Sequence, residues 1–189
     1  MLQFENVSFR YAEDDFDMMR NLNFQVEDRE FVSIIGASGC GKSTIFRLIN
    51  GLEKLQQGRI LVDGRPVQEL KNYSAFMPQK DLLFPWRTIE KNICLPMELA
   101  KVPKAEQEKR CKEVLEQVGL SEYAKKYPKD LSGGMKQRVA FARTLLSGAD
   151  LLLLDEPSND LDADALAALE DYLLDSPVPV LYVSHDETL

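Results

Sequence analysis

Residues Gly36-Ala37-Ser38-Gly39-Cys40-Gly41-Lys42-Ser43-Thr44 fit the spacing G-x-x-x-x-G-K-[ST], with Gly36 first and Gly41, Lys42 and Ser43 closing it. Those residue types suit the holding of phosphate. Glycines let the backbone wrap closely, so that several N–H groups point at one anion, and a helix starting there adds the positive end of its dipole. Lys42 supplies a point charge for the outer phosphates, and the Ser43 hydroxyl can ligate Mg²⁺. A glycine-rich strand-to-helix turn that binds nothing is the competing explanation. It loses weight because Phe31-Val32-Ser33-Ile34-Ile35 before the turn reads as a strand, and Ile45, Phe46, Leu48 and Ile49 after it as a helix.

Other residues carry compatible chemistry. Asp155 and Glu156 end the apolar run Leu151–Leu154. One carboxylate there can hold Mg²⁺ through water and the next can polarise an attacking water; acidic residues favoured by a helix N-terminus would look the same. His185, the single histidine, follows the apolar stretch Val180–Val183 with one residue between. An imidazole at that strand end can reach a γ-phosphate oxygen or orient the water, although a lone histidine is more often structural. Ser132-Gly133-Gly134 opens a helical pattern and forms a second potential anion cradle; ordinary capping by Ser132 would need no glycines. Tyr11, in an early loop, can stack on a purine or simply pack.

The elements that must position these groups alternate between strand and helix. Leu2, Phe4, Val7 and Phe9 form a β-rich run, and Leu22, Phe24 and Val26 alternate with period two. Gln56-Gln57-Gly58 reads as a turn, Arg59–Val62 as a strand, Asp63-Gly64 as a hairpin signal, and Phe76-Met77 as a strand end just before Gln79. From about Thr88 to Tyr127 the pattern is helical, with Cys111, Val114, Leu115 and Val118 on one stripe and Gly119 as the stop. Further helices are expected after Ser132 and over about Ala163–Leu174. This order predicts an α/β fold with a mostly parallel sheet and ligands at the carboxyl ends of its strands, where residues 36–43, Gln79, Asp155-Glu156 and His185 all fall. The expectation is one domain over residues 1–189, with a helical insert at approximately 88–150.

Composition narrows the class. The chain has 189 residues, 44% hydrophobic and 29% charged, as an ordinary globular domain does. No apolar run is long enough to cross a bilayer and the start is no signal peptide, so a cytosolic protein is expected. The net charge of −8 argues against nucleic acid as a partner. Eleven Asp/Glu and no Lys or Arg lie from Ala149 onward, which reads chiefly as a solvated acidic face. Cys40, Cys94 and Cys111 are odd in number and unpatterned, arguing against a disulfide framework.

Taken together these motifs resemble the ATP-binding subunit of an ABC transporter, over nearly the whole chain. Residues 36–43 are similar to the Walker A motif, Gln79 to the Q-loop glutamine, and Leu131-Ser132-Gly133-Gly134-Met135-Lys136-Gln137-Arg138 to the signature motif. Leu151–Glu156 resembles Walker B with Glu156 in the catalytic-base position, His185 matches the switch histidine, and Tyr11 the adenine-stacking aromatic. The resemblance implies a P-loop NTPase core with an N-terminal antiparallel β subdomain and an inserted α-helical subdomain. It also implies ATP and Mg²⁺ as cofactors, with Ser43, Gln79 and Asp155 around the metal and residues 36–44 and 132–134 around the nucleotide.

Partners follow from the same resemblance: a second copy or homologous ATPase subunit in a head-to-tail dimer, transmembrane permease subunits docking near the Q-loop and helical insert, and a solute-binding protein if the system imports. The subunit would sit peripherally on the cytoplasmic face of the cell membrane. Asp81-Leu82-Leu83-Phe84-Pro85-Trp86-Arg87-Thr88 resembles the nitrate/sulfonate/taurine-type importers, and thiamine-precursor importers carry a similar segment. The ATPase of an exporter or of a non-transport complex is the alternative. A DNA-repair or chromosome-organising relative would place a long coiled coil between the glycine motifs, yet only about ninety residues separate Ser43 from Leu131, and a translation-factor relative would carry two such domains in one chain. Two departures stand out: Asp160 where the family usually has a small or neutral residue, and a chain end at Leu189, where relatives continue through further helices and a compact or truncated form is expected.

Overall fold

The computed structural model describes residues 1–37, 39–158, 161, 163–174 and 176–184. These divide into two compact units, one built from Met1–Phe76, Asp150–Asp155 and residues 176–184, the other from Met77–Ala149 and the described residues of 156–174.

The first unit holds two sheets. Strands β1 (Leu2–Phe9), β2 (Met19–Val26), β4 (Gln57–Val62) and β5 (Arg65–Pro66) form an antiparallel sheet in the order β2-β1-β4-β5. Its alternating burial, with Leu2, Phe4, Val7 and Phe9 inward on β1, follows the period of two in the sequence. The second sheet runs β3 (Phe31–Ile35), β8 (Val180–Ser184), β7 (Leu151–Asp155) and β6 (Ser74–Met77), with β3, β8 and β7 parallel. Every residue of β7 and β8 is buried, as continuous apolar strands in a parallel sheet require. Helix α1 (Lys42–Ile49) buries Ile45, Phe46, Leu48 and Ile49 in one core with Leu151, Leu153, Leu181 and Val183.

One expectation needs correction. Gly58, read from the sequence as part of a turn, lies inside β4 with φ +82°, opposite a register shift between Glu5 and Ser8 of β1. A Cβ there would stand 2.4 Å from the carbonyl oxygens of Glu5 and Asn6. The glycine therefore serves a β-bulge, where two backbones come too close for any side chain.

The second unit contains α2 (Ile89–Ile93), α3 (Leu95–Leu99), α4 (Lys104–Gln117), α5 (Gly133–Leu145) and α6 (Ala163–Leu174). The segment expected to be helical from Thr88 to Tyr127 is thus broken, with Pro96 opening α3 and Pro103 preceding α4, since proline fits only a helix's first turn. Cys111, Val114 and Leu115 of α4 pack with Ile89, Ile93, Leu131, Val139 and Ala142 in this unit's own core.

The far end of α1 is anchored by polar contacts. The Tyr73 hydroxyl donates to the Ile49 carbonyl, Asn50 Nδ2 donates to the Phe46 carbonyl at 2.8 Å, and Ser74 Oγ donates to Asn50 Oδ1 at 2.9 Å. These donors satisfy carbonyls a helix C-terminus leaves open. Burial pushes the Tyr73 phenol up to about 12. The fold therefore retains that proton to higher pH than an unfolded tyrosine, which titrates near 10. Its contribution is full below about pH 10 and is lost as pH rises through about 12. Tyr73→Phe should cost about 1–2 kcal/mol at neutral pH. In thermal denaturation, the gap between wild type and variant should close across that alkaline window; a gap unchanged by pH would exclude the assignment.

Candidate nucleotide site

The phosphate-loop residues lie in the first unit, between β3 and α1. β3 pairs with β8 in parallel register, Ile35 opposite Ser184, and β7 pairs with the other side of β8, Asp155 opposite Val183. The end of β3 and Asp155 therefore sit on one rim of the sheet, two strand spacings apart, roughly 10 Å. Gly39 (φ +78°) and Gly41 (φ +100°) use conformations closed to most side chains, and Gly41 is the residue from which α1 starts. At Gly36 the demand is steric: a Cβ would lie 3.0 Å from Cys40 Sγ. The Gly41 carbonyl accepts from Thr44 N at 3.0 Å and Ile45 N at 3.2 Å, and Cys40 N donates to the Ala37 carbonyl at 3.3 Å.

Lys42 is 7% exposed, and its Nζ donates to the carbonyls of Gly36 (2.5 Å) and Ala37 (3.0 Å). The ammonium is thus held across the loop by the carbonyls of the loop itself. Ser43 is half-buried on the first turn of α1. Thr44 is buried, with Oγ1 3.0 Å from the Tyr11 hydroxyl, while the Tyr11 ring meets Phe9 edge-on at 4.9 Å. Tyr11 therefore stands beside the first turn of α1. Ser38 and His185 lie outside the described residues, as does Asp160.

Charge at the helix starts separates the two candidate cradles from their neighbours. Among the described residues, α2, α3 and α4 carry Glu90, Glu98 and Glu106 in their first turns, whereas α1 and α5 carry no acidic residue there. A helix N-terminus uncompensated by its own carboxylate favours an outside anion. In the second unit, Ser132 caps α5, its Oγ accepting from Met135 N at 3.3 Å. Gly133 and Gly134 have no positive φ, so the backbone does not demand glycine. Ser132 and Gly133 are exposed, so glycine here keeps the surface of that turn bare.

Asp155 and Glu156 are both buried, Glu156 at 4% exposure. Glu156 also takes φ +53°, a left-handed conformation costing a residue with a Cβ about 1–2 kcal/mol. Strain of this kind concentrates where a side chain must be aimed. The hydroxyl of Ser43 and carboxylate of Asp155 are the hard oxygen donors Mg²⁺ takes, and Mg²⁺ completes its shell with water and phosphate oxygens, so this donor set fits the ion. Gln79 is exposed in the second unit, its carbonyl accepting from Gln137 Nε2 at 2.9 Å.

Residues without a motif hold the segment after Gln79. Arg143 donates to the carbonyls of Asp81 (2.8 Å) and Leu82 (3.0 Å), and burial lowers its guanidinium's affinity for the proton. Fully buried Asn92 accepts from Phe84 N at 2.8 Å and donates to the carbonyls of Phe84, Arg87 and Thr88, each at 3.1 Å. This scaffold presents Leu82 at 61% and Trp86 at 72% exposure, with the Phe84 and Trp86 rings 5.2 Å apart. The one signal in the sequence was Asn92, a polar residue between Ile89 and Ile93.

Replacing Lys42 with alanine removes the ammonium but leaves the turn's glycines. Lys42→Ala should weaken binding of a nucleoside triphosphate at least tenfold by calorimetry, a charge-assisted contact being lost. Unchanged affinity would exclude this loop as the phosphate site.

Comparison with known proteins gives a consistent family. The model of the ABC transporter family matches residues 19–159. The chain is 42% identical over 173 residues to the aliphatic sulfonates import ATP-binding protein SsuB of Bacillus cereus, covering 89% of this chain and 68% of that relative. It is 42% identical over 152 residues to the ABC transporter ATP-binding protein YtlC of Bacillus subtilis, covering 80% of this chain and 58% of YtlC. Among solved structures, a dimeric ATP-binding cassette in a post-hydrolysis state with ADP and phosphate matches with a TM-score of 0.85 and 30% identity, over 98% of this chain and 88% of that one. The chain belongs to the ABC transporter family, as an ATP-binding cassette.

Proposed function

We propose that the chain is the ATP-hydrolysing subunit of a solute importer, working as a head-to-tail pair with separate transmembrane permease subunits. The observation that carries this reading is the presence of two helix starts, at α1 and α5, that lack an acidic first turn and are preceded or opened by glycine. In this reading two copies meet over one triphosphate, each offering the loop at residues 36–44 to the other's Ser132, Gly133 and Gly134.

In this reading the chain's own groups divide the work. The loop N–H groups and Lys42 hold the β- and γ-phosphates, and Tyr11 stacks on the adenine. Ser43 and Asp155, with Gln79 as the resemblance implies, would hold Mg²⁺, which would supply positive charge to neutralise the phosphate oxygens. Glu156 accepts a proton from the attacking water, and His185 donates a hydrogen bond to the γ-phosphate. The exposed pair Phe84 and Trp86, with Leu82, is the surface offered to a permease. The likeness to sulfonate-import relatives, with the segment from Asp81 to Thr88, supports import of a small organic anion of the sulfonate class. The subunit would then work at the cytoplasmic face of the membrane.

Two experiments test the arrangement. Glu156→Gln should bind ATP, stall before cleavage and run as a dimer in gel filtration with ATP; full turnover would remove Glu156 as the base. Lys42→Ala and Ser132→Arg should each be inactive alone. Mixed in equal amounts, half the pairs would be mixed and each would hold one intact composite site of two, restoring roughly a quarter of wild-type ATPase activity. A mixture as inactive as its components would overturn the shared site.

A further inference from the structure

The second unit holds a pair of thiols that the nucleotide chemistry does not use. Cys94 joins α2 to α3, and Cys111 lies on α4. Both converge on one oxygen: the Glu90 carbonyl accepts from Cys94 N at 2.9 Å and from Cys111 Sγ at 3.6 Å. Cys94 Sγ donates to the Gln107 carbonyl of α4 at 4.0 Å, and both thiols line one cleft of about 470 Å³. Cys111 is buried, while Cys94 is half-exposed. Around them stand Glu90, Glu98, Arg87 and Lys125, with Arg87 paired to Glu98 at 2.5 Å and Lys125 to Glu90 at 2.6 Å.

We propose that Cys94 and Cys111 are an oxidative modification site, at which a peroxide converts the two thiols to an intramolecular disulfide linking the α2–α3 junction to α4. The asymmetry between the thiols assigns their roles. The hydrogen bond from Cys111 holds the Cys94 thiol below its usual range, while that same bond, followed by burial, pushes Cys111 up. Cys94 is therefore the attacking thiolate and Cys111 the resolving thiol. The Cys94 thiolate attacks one peroxide oxygen and the O–O bond breaks. The released hydroxide takes up the proton that Cys94 gave up, and a sulfenic acid remains. The Cys111 sulfur then attacks the Cys94 sulfur; the S–S bond forms, the S–O bond breaks, and the Cys111 proton leaves with the hydroxyl as water. Two thiols lose two electrons and two protons, and one peroxide becomes two waters.

The test uses the full chain and hydrogen peroxide as the probe, with unreacted thiols alkylated under denaturing conditions and sites assigned by peptide mass mapping. This readout is independent of ATP turnover, so its failure leaves the functional reading intact. Wild type should lose alkylation at Cys94 and Cys111 together, gain a linked peptide pair lighter by two hydrogens, and recover both thiols with a reductant. Cys111→Ser should stop at a sulfenic acid trapped by dimedone, and Cys94→Ser should slow modification of Cys111 at least tenfold. Oxidation confined to exposed Cys40, a link from Cys40 to either residue, or over-oxidation of Cys94 with Cys111 still alkylated would each overturn the proposal.

Discussion

The first unit depends on the abrupt change from strand to helix between Ile35 and Lys42. A chain leaving a parallel strand can turn its amide groups toward one point only where Cβ atoms are missing or the backbone is left-handed. Gly36 supplies the missing Cβ, and Gly39 and Gly41 the left-handed geometry. The sheet fixes where this happens, since β3 is held in register by β8 and β8 by β7. The apolar face of α1 then locks the helix on the same core. Burial of Ile45, Phe46, Leu48 and Ile49 thus stabilises a terminus whose own polar groups remain available for work.

The second unit solves a different problem with similar parts. Helix α5 has its hydroxyl cap at Ser132, so the fold alone is satisfied without the two glycines that follow. Neither has a positive φ, so the backbone of that turn does not call for them. Glu156 is the reverse case, a buried carboxylate on a left-handed backbone just past a strand of leucines.

What could be read from the sequence was whatever depends on neighbours within a few positions. The phosphate loop, β7, the cap at Ser132 and the stripe of α4 are all of this kind, and the structure bears out their elements. Gly58 shows where such reading fails: its need for glycine comes from Asn6 and Glu5, more than fifty residues away. The grip of Gln137 and Arg143 on residues 79–82 spans about sixty residues, and the convergence of Cys94 and Cys111 needs α2 and α4 folded together. Three cysteines without pattern gave no hint of that pair. The breaks in the helical stretch fall at Pro96 and Pro103, which stand at the starts of α3 and α4.

The segment that carries Trp86 is held in part through its own side chains, with Arg87 paired to Glu98 and Leu83 against the core, and in part through its main chain. Asn92 and Arg143 bind the amide and carbonyl groups of Asp81, Leu82, Phe84, Arg87 and Thr88, contacts that persist whatever side chains those positions bear. A cassette built this way can exchange its outward-facing aromatics during divergence without refolding the support beneath them.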